Sequence, residues 1–118
     1  LHDAAYAAVS HLPHLLAFAA MNAIVEQPEG SQFLNLAGPG FRDFTRIAAS
    51  APHIWRDILM SNQAEVLAQS QLLRQALDEL EAAMRNSDTQ ALQRLIQRAS
   101  DARTQWQLPG AVPMGDPD

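Results

Sequence analysis

The chain has 118 residues, 47% of them hydrophobic, a formal net charge of −5, eight arginines and neither lysine nor cysteine. That length fits one domain with a real core, and the composition argues against disorder. With no basic stripe to displace counterions, the chain is a poor candidate for binding nucleic acid or an anionic membrane; without cysteine, no disulfide framework or thiolate metal site can form.

Residues Leu1 to about Glu26 read as a helix rich in alanine and leucine. Pro13 lies inside it, removes one backbone donor, and should kink the helix near Val9 and Ser10. Asp3, Ser10 and His14 follow one another at intervals of seven and four and fall on one stripe, flanked by Tyr6 and His11. Such a stripe either faces water or lines a wet pocket. The remainder is apolar nearly all round, which predicts a mostly buried helix, and buried polar groups need partners. No apolar run approaches the ~20 residues of a membrane span; the best, Leu12 to Val25, is interrupted by Pro13, His14 and Asn22.

Residues Gln27 to Gly40 carry the proline and glycine of a loop, with Phe33, Leu34 and Leu36 as a short turn packing inward. A Gly-Pro-Gly turn, Gly38 to Gly40, precedes a short helix from Phe41 to Ala49, whose apolar side is Phe44, Ile47 and Ala48. Arg42 and Arg46, four apart, share a face there and are the first cationic side chains after the N-terminus. Two guanidiniums near a helix start form a receptor for a carboxylate or phosphate. The alternative is that both are solvated or pair with Asp43 and Asp57.

Ser50 is placed to cap the next helix, with Pro52 in its first turn. Pro52 to about Asn86 then reads as one long helix, ~50 Å if unbroken. Leu59, Val66, Leu73 and Leu80 repeat every seven residues, with Gln63, Ser70, Leu77 and Met84 beside them. One small domain can hardly cover such a helix, so a partner chain is expected along it. The alternative is a long helix within a monomeric bundle. Ser87 with Gln90 has capping-box spacing, and a last helix carries Leu92, Leu95, Ile96, Ala99, Ala102, Arg103 and Trp106 on its inner face. The fold class is therefore all-α, a helical bundle domain over 1–107, with 108–118 as a proline- and glycine-rich tail or linker.

His11 and His14, three apart, can converge, but no recognised spacing supplies further ligands from Asp3, His2 or His53, so no metal site is expected. A hydrogen-bonding pair in a pocket is the better reading. Trp55 is either core or the wall of a site for a ring-shaped ligand beside the arginines. There is no nucleophile-elbow or Walker motif, and Gly38 to Gly40 is not a dinucleotide fingerprint.

Taken together, His2-Asp3, Ser10-His11-Leu-Pro-His14, Gly40-Phe-Arg-Asp-Phe-Thr-Arg-Ile-Ala-Ala-Ser50 and Trp55-Arg-Asp-Ile58 resemble, in order and spacing, the C-terminal helical domain of prephenate dehydrogenases. That family includes cyclohexadienyl and arogenate dehydrogenases, and the likeness runs from about Leu1 to Trp106. The resemblance implies an intertwined homodimer of helical domains completing an active site beside a Rossmann domain that binds NAD or NADP. It implies oxidative decarboxylation of prephenate or arogenate in tyrosine biosynthesis, in the cytoplasm, with tyrosine a further ligand. On the matching positions Arg46 would bind a substrate carboxylate. His14 would contact the substrate side chain or its carboxylate, with His11 and Ser10 supporting the pocket. Trp55 would line the pocket, Arg42 and Asp43 would form a charged gate, and Asp3 would orient Arg46 or a histidine. The cofactor domain, with the catalytic histidine the family uses, is missing here. The chain opens without methionine and reads as a piece of a longer protein. No catalytic residue and no cofactor are therefore expected on it, and it should be inactive alone. The rival reading is a purely structural helical dimer module without a ligand.

Overall fold

The computed structural model describes residues 1–106, and every regular element among them is helical. The all-α expectation holds; the 108–118 tail lies outside the described residues. The described chain divides into two compact units, residues 1–73 and residues 74–106, with helix α6 contributing to each.

The first unit begins with a helical run in three pieces: α1 (His2–Tyr6), a π-helical turn (Ala7–His11) and α2 (Leu12–Val25). Pro13 falls at the start of α2. The wider π turn takes up the missing donor and the bulk of the ring, so the helix passes through the proline instead of ending there. The consequence is a 24-residue run, His2–Val25, that is by length and composition alone long and apolar enough to cross a membrane. The sequence reading counted it short by treating Pro13, His14 and Asn22 as breaks. It also expected a mostly buried helix, whereas only Ala7, Leu12 and Ala17 are buried on it. An apolar surface all round needs cover, and this unit covers it only in part.

Two short helices pack on α2: α3 (Gly30–Asn35) and α4 (Pro39–Thr45), the latter followed by a 3-10 turn (Arg46–Ala48). Contrary to expectation, α3 turns Phe33 and Leu36 outward and keeps only Leu34 partly covered. Gly30 is buried where a side chain would run into the carbonyl oxygen of Ile24. Helix α4 starts at Pro39 rather than Phe41, from an extended Gly38, and Pro39 is suited to that first position by its fixed φ.

The predicted long helix is two: α5 (Pro52–Ser61) and α6 (Gln63–Arg85). Asn62 breaks it, with φ −122° and ψ 34°, and its side-chain amide reaches the backbone carbonyl of Asp3 at 2.9 Å. Asparagine readily leaves the helical basin when its amide finds a backbone partner. At ~1.5 Å per residue, α6 is about 35 Å long. Of the two heptad rows, Val66 is buried and Leu59, Leu73 and Leu80 are half-buried, while Leu77 and Met84 of the second row are exposed. Ser50 does not cap α5: its hydroxyl donates to the carbonyl of Ile47, and the N-cap position belongs to Ala51.

In the second unit the end of α6 and α7 (Thr89–Gln105) face each other, Leu80 and Leu95 lining one groove. The junction differs from the predicted capping box. Ser87 takes φ 52°, its N–H bonds to Met84, and the Asp88 N–H bonds to Ala83, the pairing that closes a helix C-terminus. Asp88, not Ser87, caps α7, its carboxylate accepting from the Ala91 N–H at 3.0 Å. The inner face of α7 is also shorter than predicted. Ala91, Leu92 and Leu95 are half-buried, whereas Ile96, Ala99, Ala102, Arg103 and Trp106 are exposed, and the Arg103 guanidinium lies 4.7 Å from the centre of the Trp106 ring.

Candidate functional site

The turn that carries the chain from α4 to α5 is held by its own side chains. The Thr45 hydroxyl donates to the Phe41 carbonyl at 2.7 Å, and Ser50 closes back on Ile47. The first is a threonine back-bond onto its own helix, and the second ties Ser50 to the 3-10 turn that follows. Pro52 then starts α5 at once, bringing Trp55 back towards α2.

A cleft of about 1000 Å³ opens between this bracket and α2. Phe18, Met21 and Asn22 of α2 form one side; Arg42, Asp43, Arg46, Trp55, Arg56 and Leu59 are on the other. Its charged side chains are three arginines against one aspartate, within a chain that is acidic overall. Arg56 is bonded to Asp57 at 2.9 Å, with both side chains exposed. Arg42 and Arg46 have no ion pair among the described residues, so the pairing with Asp43 and Asp57 weighed from sequence is not seen there. Two guanidiniums over an apolar floor suit a small anion with a ring: the ring meets Phe18, Trp55 and Leu59, and the charge meets the arginines.

Arg42 lies in the last turn of α4 and Arg46 just beyond it. The positive end of a helix macrodipole therefore does not assist them; the guanidiniums alone supply the positive charge.

Trp55 joins the arginine cleft to the histidines. His14 stacks on it with ring centres 3.5 Å apart and an interplanar angle of 15°. His11 and Phe18 meet it edge-on, at 6.1 and 6.4 Å. His14 Nδ1 lies 3.0 Å from the Ser10 carbonyl oxygen, which can only accept, so Nδ1 carries the proton and donates. Ser10 thus acts through its backbone. Neither histidine, nor Ser10, nor Asp3 lines the cleft itself; the two imidazoles lie against the Trp55 ring from outside it. Asp3 enters through its backbone carbonyl, bonded to Asn62, and no contact of its carboxylate with Arg46 or a histidine is found among the described residues. No group of three metal-ligating side chains converges among the described residues.

Sequence reasoning missed Phe18, Met21, Asn22 and Asn62. The first three were detectable, since positions 14, 18, 21 and 22 share one helical face. Asn62 was hidden by a heptad pattern that continues through it.

By fold and site, this is an all-α domain with an arginine-bearing cleft and wide uncovered apolar faces, the features of a helical association domain. The chain belongs to the family described as "Prephenate dehydrogenase, dimerization domain", whose profile matches residues 1–98. It is 34% identical over 119 residues to the prephenate dehydrogenase of Bacillus subtilis (strain 168), covering 95% of this chain and 31% of that protein. Among solved structures, Synechocystis arogenate dehydrogenase superposes with a TM-score of 0.81 at 33% identity, over 87% of this chain and 38% of that one. Prephenate dehydrogenase from A. aeolicus, in complex with hydroxyphenyl propionate and NAD+, gives a TM-score of 0.80 at 34% identity, over 88% of this chain and 37% of that one. The chain thus spans about a third of the length of the relatives it matches.

Proposed function

We propose that this chain is the dimerisation and substrate-binding part of a dehydrogenase that oxidatively decarboxylates prephenate or arogenate to 4-hydroxyphenylpyruvate or tyrosine, in the cytoplasm. The observation that carries the reading is the grouping of Arg42, Arg46 and Trp55 around one apolar cleft, with His14 stacked behind the tryptophan. The substrate is a small ring acid with two carboxylates, and this cleft offers a ring-sized apolar floor beside the Arg42 and Arg46 guanidiniums, which have no ion pair among the described residues.

In this reading Arg46 holds a carboxylate, and Arg42 with Asp43 forms a charged gate at the cleft. Trp55 walls the ring, and His14 and His11 pack against the tryptophan outside the cleft and position it. Ser10 orients His14 through its carbonyl, and Asp3 contributes through its backbone bond to Asn62. The chain's own residues bind and orient the acid and exclude water from one side of it. NAD or NADP would supply the hydride acceptor for this oxidation, in which CO2 is lost and the ring aromatises. A dinucleotide is ordinarily cradled at a glycine-rich strand-to-helix turn; the described residues, all helical in their regular elements, do not fit that pattern. The cofactor is therefore assigned to a domain outside this chain. By itself the chain should give no cofactor reduction with prephenate; turnover by the pure chain, followed by absorbance, refutes that part.

The binding test is a calorimetric titration with hydroxyphenyl propionate, the ligand named with the A. aeolicus enzyme. The chain should bind it, and Arg46→Ala should weaken binding about tenfold, or ~1.4 kcal/mol, because Arg46 is exposed and a solvated charge pair is worth less than a buried one. Absence of binding heat from both the chain and Arg46→Ala favours the rival reading, a structural dimer module without a ligand; equal binding by both removes Arg46 from the site.

A further inference from the structure

We infer that Asn62 is a positioning residue that holds the two imidazoles beside Trp55 in opposite tautomers, His11 protonated on Nε2 and His14 on Nδ1. The inference deepens the ligand-binding reading and rests on it for the use of the two histidines, but the tautomers are set by contacts that need no ligand.

Two kinds of group here have only one hydrogen-bonding role. A backbone carbonyl oxygen accepts and never donates; a carboxamide nitrogen donates and never accepts. Asn62 Nδ2 lies 2.9 Å from the carbonyl oxygen of Asp3, across 59 positions of sequence. That bond fixes which way the amide faces, because the flipped amide would set two oxygens against each other. The same Nδ2 lies 3.4 Å from His11 Nδ1. At that distance the bond is long, yet its polarity is settled: two donors would repel, so His11 Nδ1 must be the bare nitrogen and its proton sits on Nε2.

His14 is bound the other way, its Nδ1 donating to the Ser10 carbonyl at 3.0 Å, so its Nε2 keeps the lone pair. No side-chain nitrogen or oxygen among the described residues is both buried and unpartnered. The two Nε2 atoms have no partner there, so both reach solvent. One face of Trp55 therefore stacks on a ring whose free nitrogen accepts, and its edge meets a ring whose free nitrogen donates. Such a pair presents one acceptor and one donor beside Trp55, outside the arginine cleft. A pair of identical tautomers would present two groups of one kind.

Three features of the fold converge on this arrangement. The π turn over Ala7–His11 sets the register between Asp3 and His11. The break between α5 and α6 frees the Asn62 side chain from a regular helix face. The bond to Asp3 ties the end of α5, which carries Trp55, to the start of the chain.

The test is long-range proton–nitrogen correlation NMR on the nitrogen-15-labelled 118-residue chain in alkaline buffer, where free imidazoles are neutral. His11→Gln and His14→Gln assign the two rings. The unsubstituted chain should show His11 protonated on Nε2 and His14 on Nδ1; finding both rings in one tautomer overturns the inference, whatever the variants do. Asn62→Asp replaces the donor facing His11 by an acceptor and should move the His11 proton to Nδ1 while His14 keeps its pattern. A purely structural role for Asn62 would leave the His11 pattern unchanged, and that result also overturns the inference. Titration with hydroxyphenyl propionate separates the two levels of argument. If the tautomers are as stated and the probe does not bind, the proposed function fails while the assignment of Asn62 stands.

Discussion

Trp55 is where local contacts matter most for this site, because its ring touches both histidines and lines the arginine cleft. The arginine pair, the histidine pair and the tryptophan were all legible as types at a spacing. Which of them form the cleft wall and which stand behind it was not, because that depends on the turn after α4. Gly30 shows the same division. In the sequence it reads only as loop punctuation, but the structure gives it a specific demand: the α2 backbone passes so close that a Cβ would strike the Ile24 carbonyl. Gly30→Ala should therefore destabilise the chain by about 1–3 kcal/mol, as overpacking does. Gly40 lies inside α4 with open space where its side chain would be. Gly40→Ala should stabilise by about 0.5–1 kcal/mol, as an alanine does in a helix. Urea unfolding of the two variants gives the comparison, and shifts of the same sign would contradict the close approach at Gly30.

At the scale of elements, the helices were readable and their ends were not. Pro13 is expected to disturb the helix near Val9 and Ser10, and a π turn over Ala7–His11 stands at that place and carries the helix on. A heptad row running through Asn62 concealed the break between α5 and α6, because a hydrophobic period reports which face is covered and not whether the backbone is continuous. Between α6 and α7 two adjacent residues divide the work that sequence assigned to one. Ser87 ends α6 in the left-handed region and Asp88 begins α7 through its carboxylate. Opposite outcomes follow. Asp88→Ala removes the cap and should cost about 1 kcal/mol. Ser87→Gly removes a left-handed penalty of about 1–2 kcal/mol against an entropic cost of about 0.4–1 kcal/mol, for a small net gain. Melting temperatures should fall for the first and rise for the second; a drop in both would mean that Ser87 contributes a contact beyond its backbone shape.

For the whole molecule the decisive quantity is what remains uncovered. No large side chain is fully buried among the described residues. Leucines, methionines and aromatics stand exposed in both units, Met84 at 64% and Leu77 at 47%. A chain that is 47% hydrophobic has the material for a core, but helices of this kind bury it against something outside themselves. The apolar run His2–Val25 poses the question sharply, since lipid would also cover it. Its polar positions favour protein: Asp3, His11 and His14 are tied into hydrogen bonds or rings of this same unit. A second copy is the occupant the family points to, and the proposed homodimer would need an interface in the obligate range, on the order of 2,000 Å² or more. The second heptad row, sequence-visible as Leu77 and Met84, is then interface rather than core. Leu77→Asp places a charge where an apolar partner surface is expected, without disturbing a buried position of the monomer. Light scattering should give twice 12.9 kDa for the chain and 12.9 kDa for the variant, with helical circular dichroism retained in each unit. A variant that keeps the doubled mass would move the interface off this face of α6; a chain already at the single mass would leave these apolar faces without the partner they require.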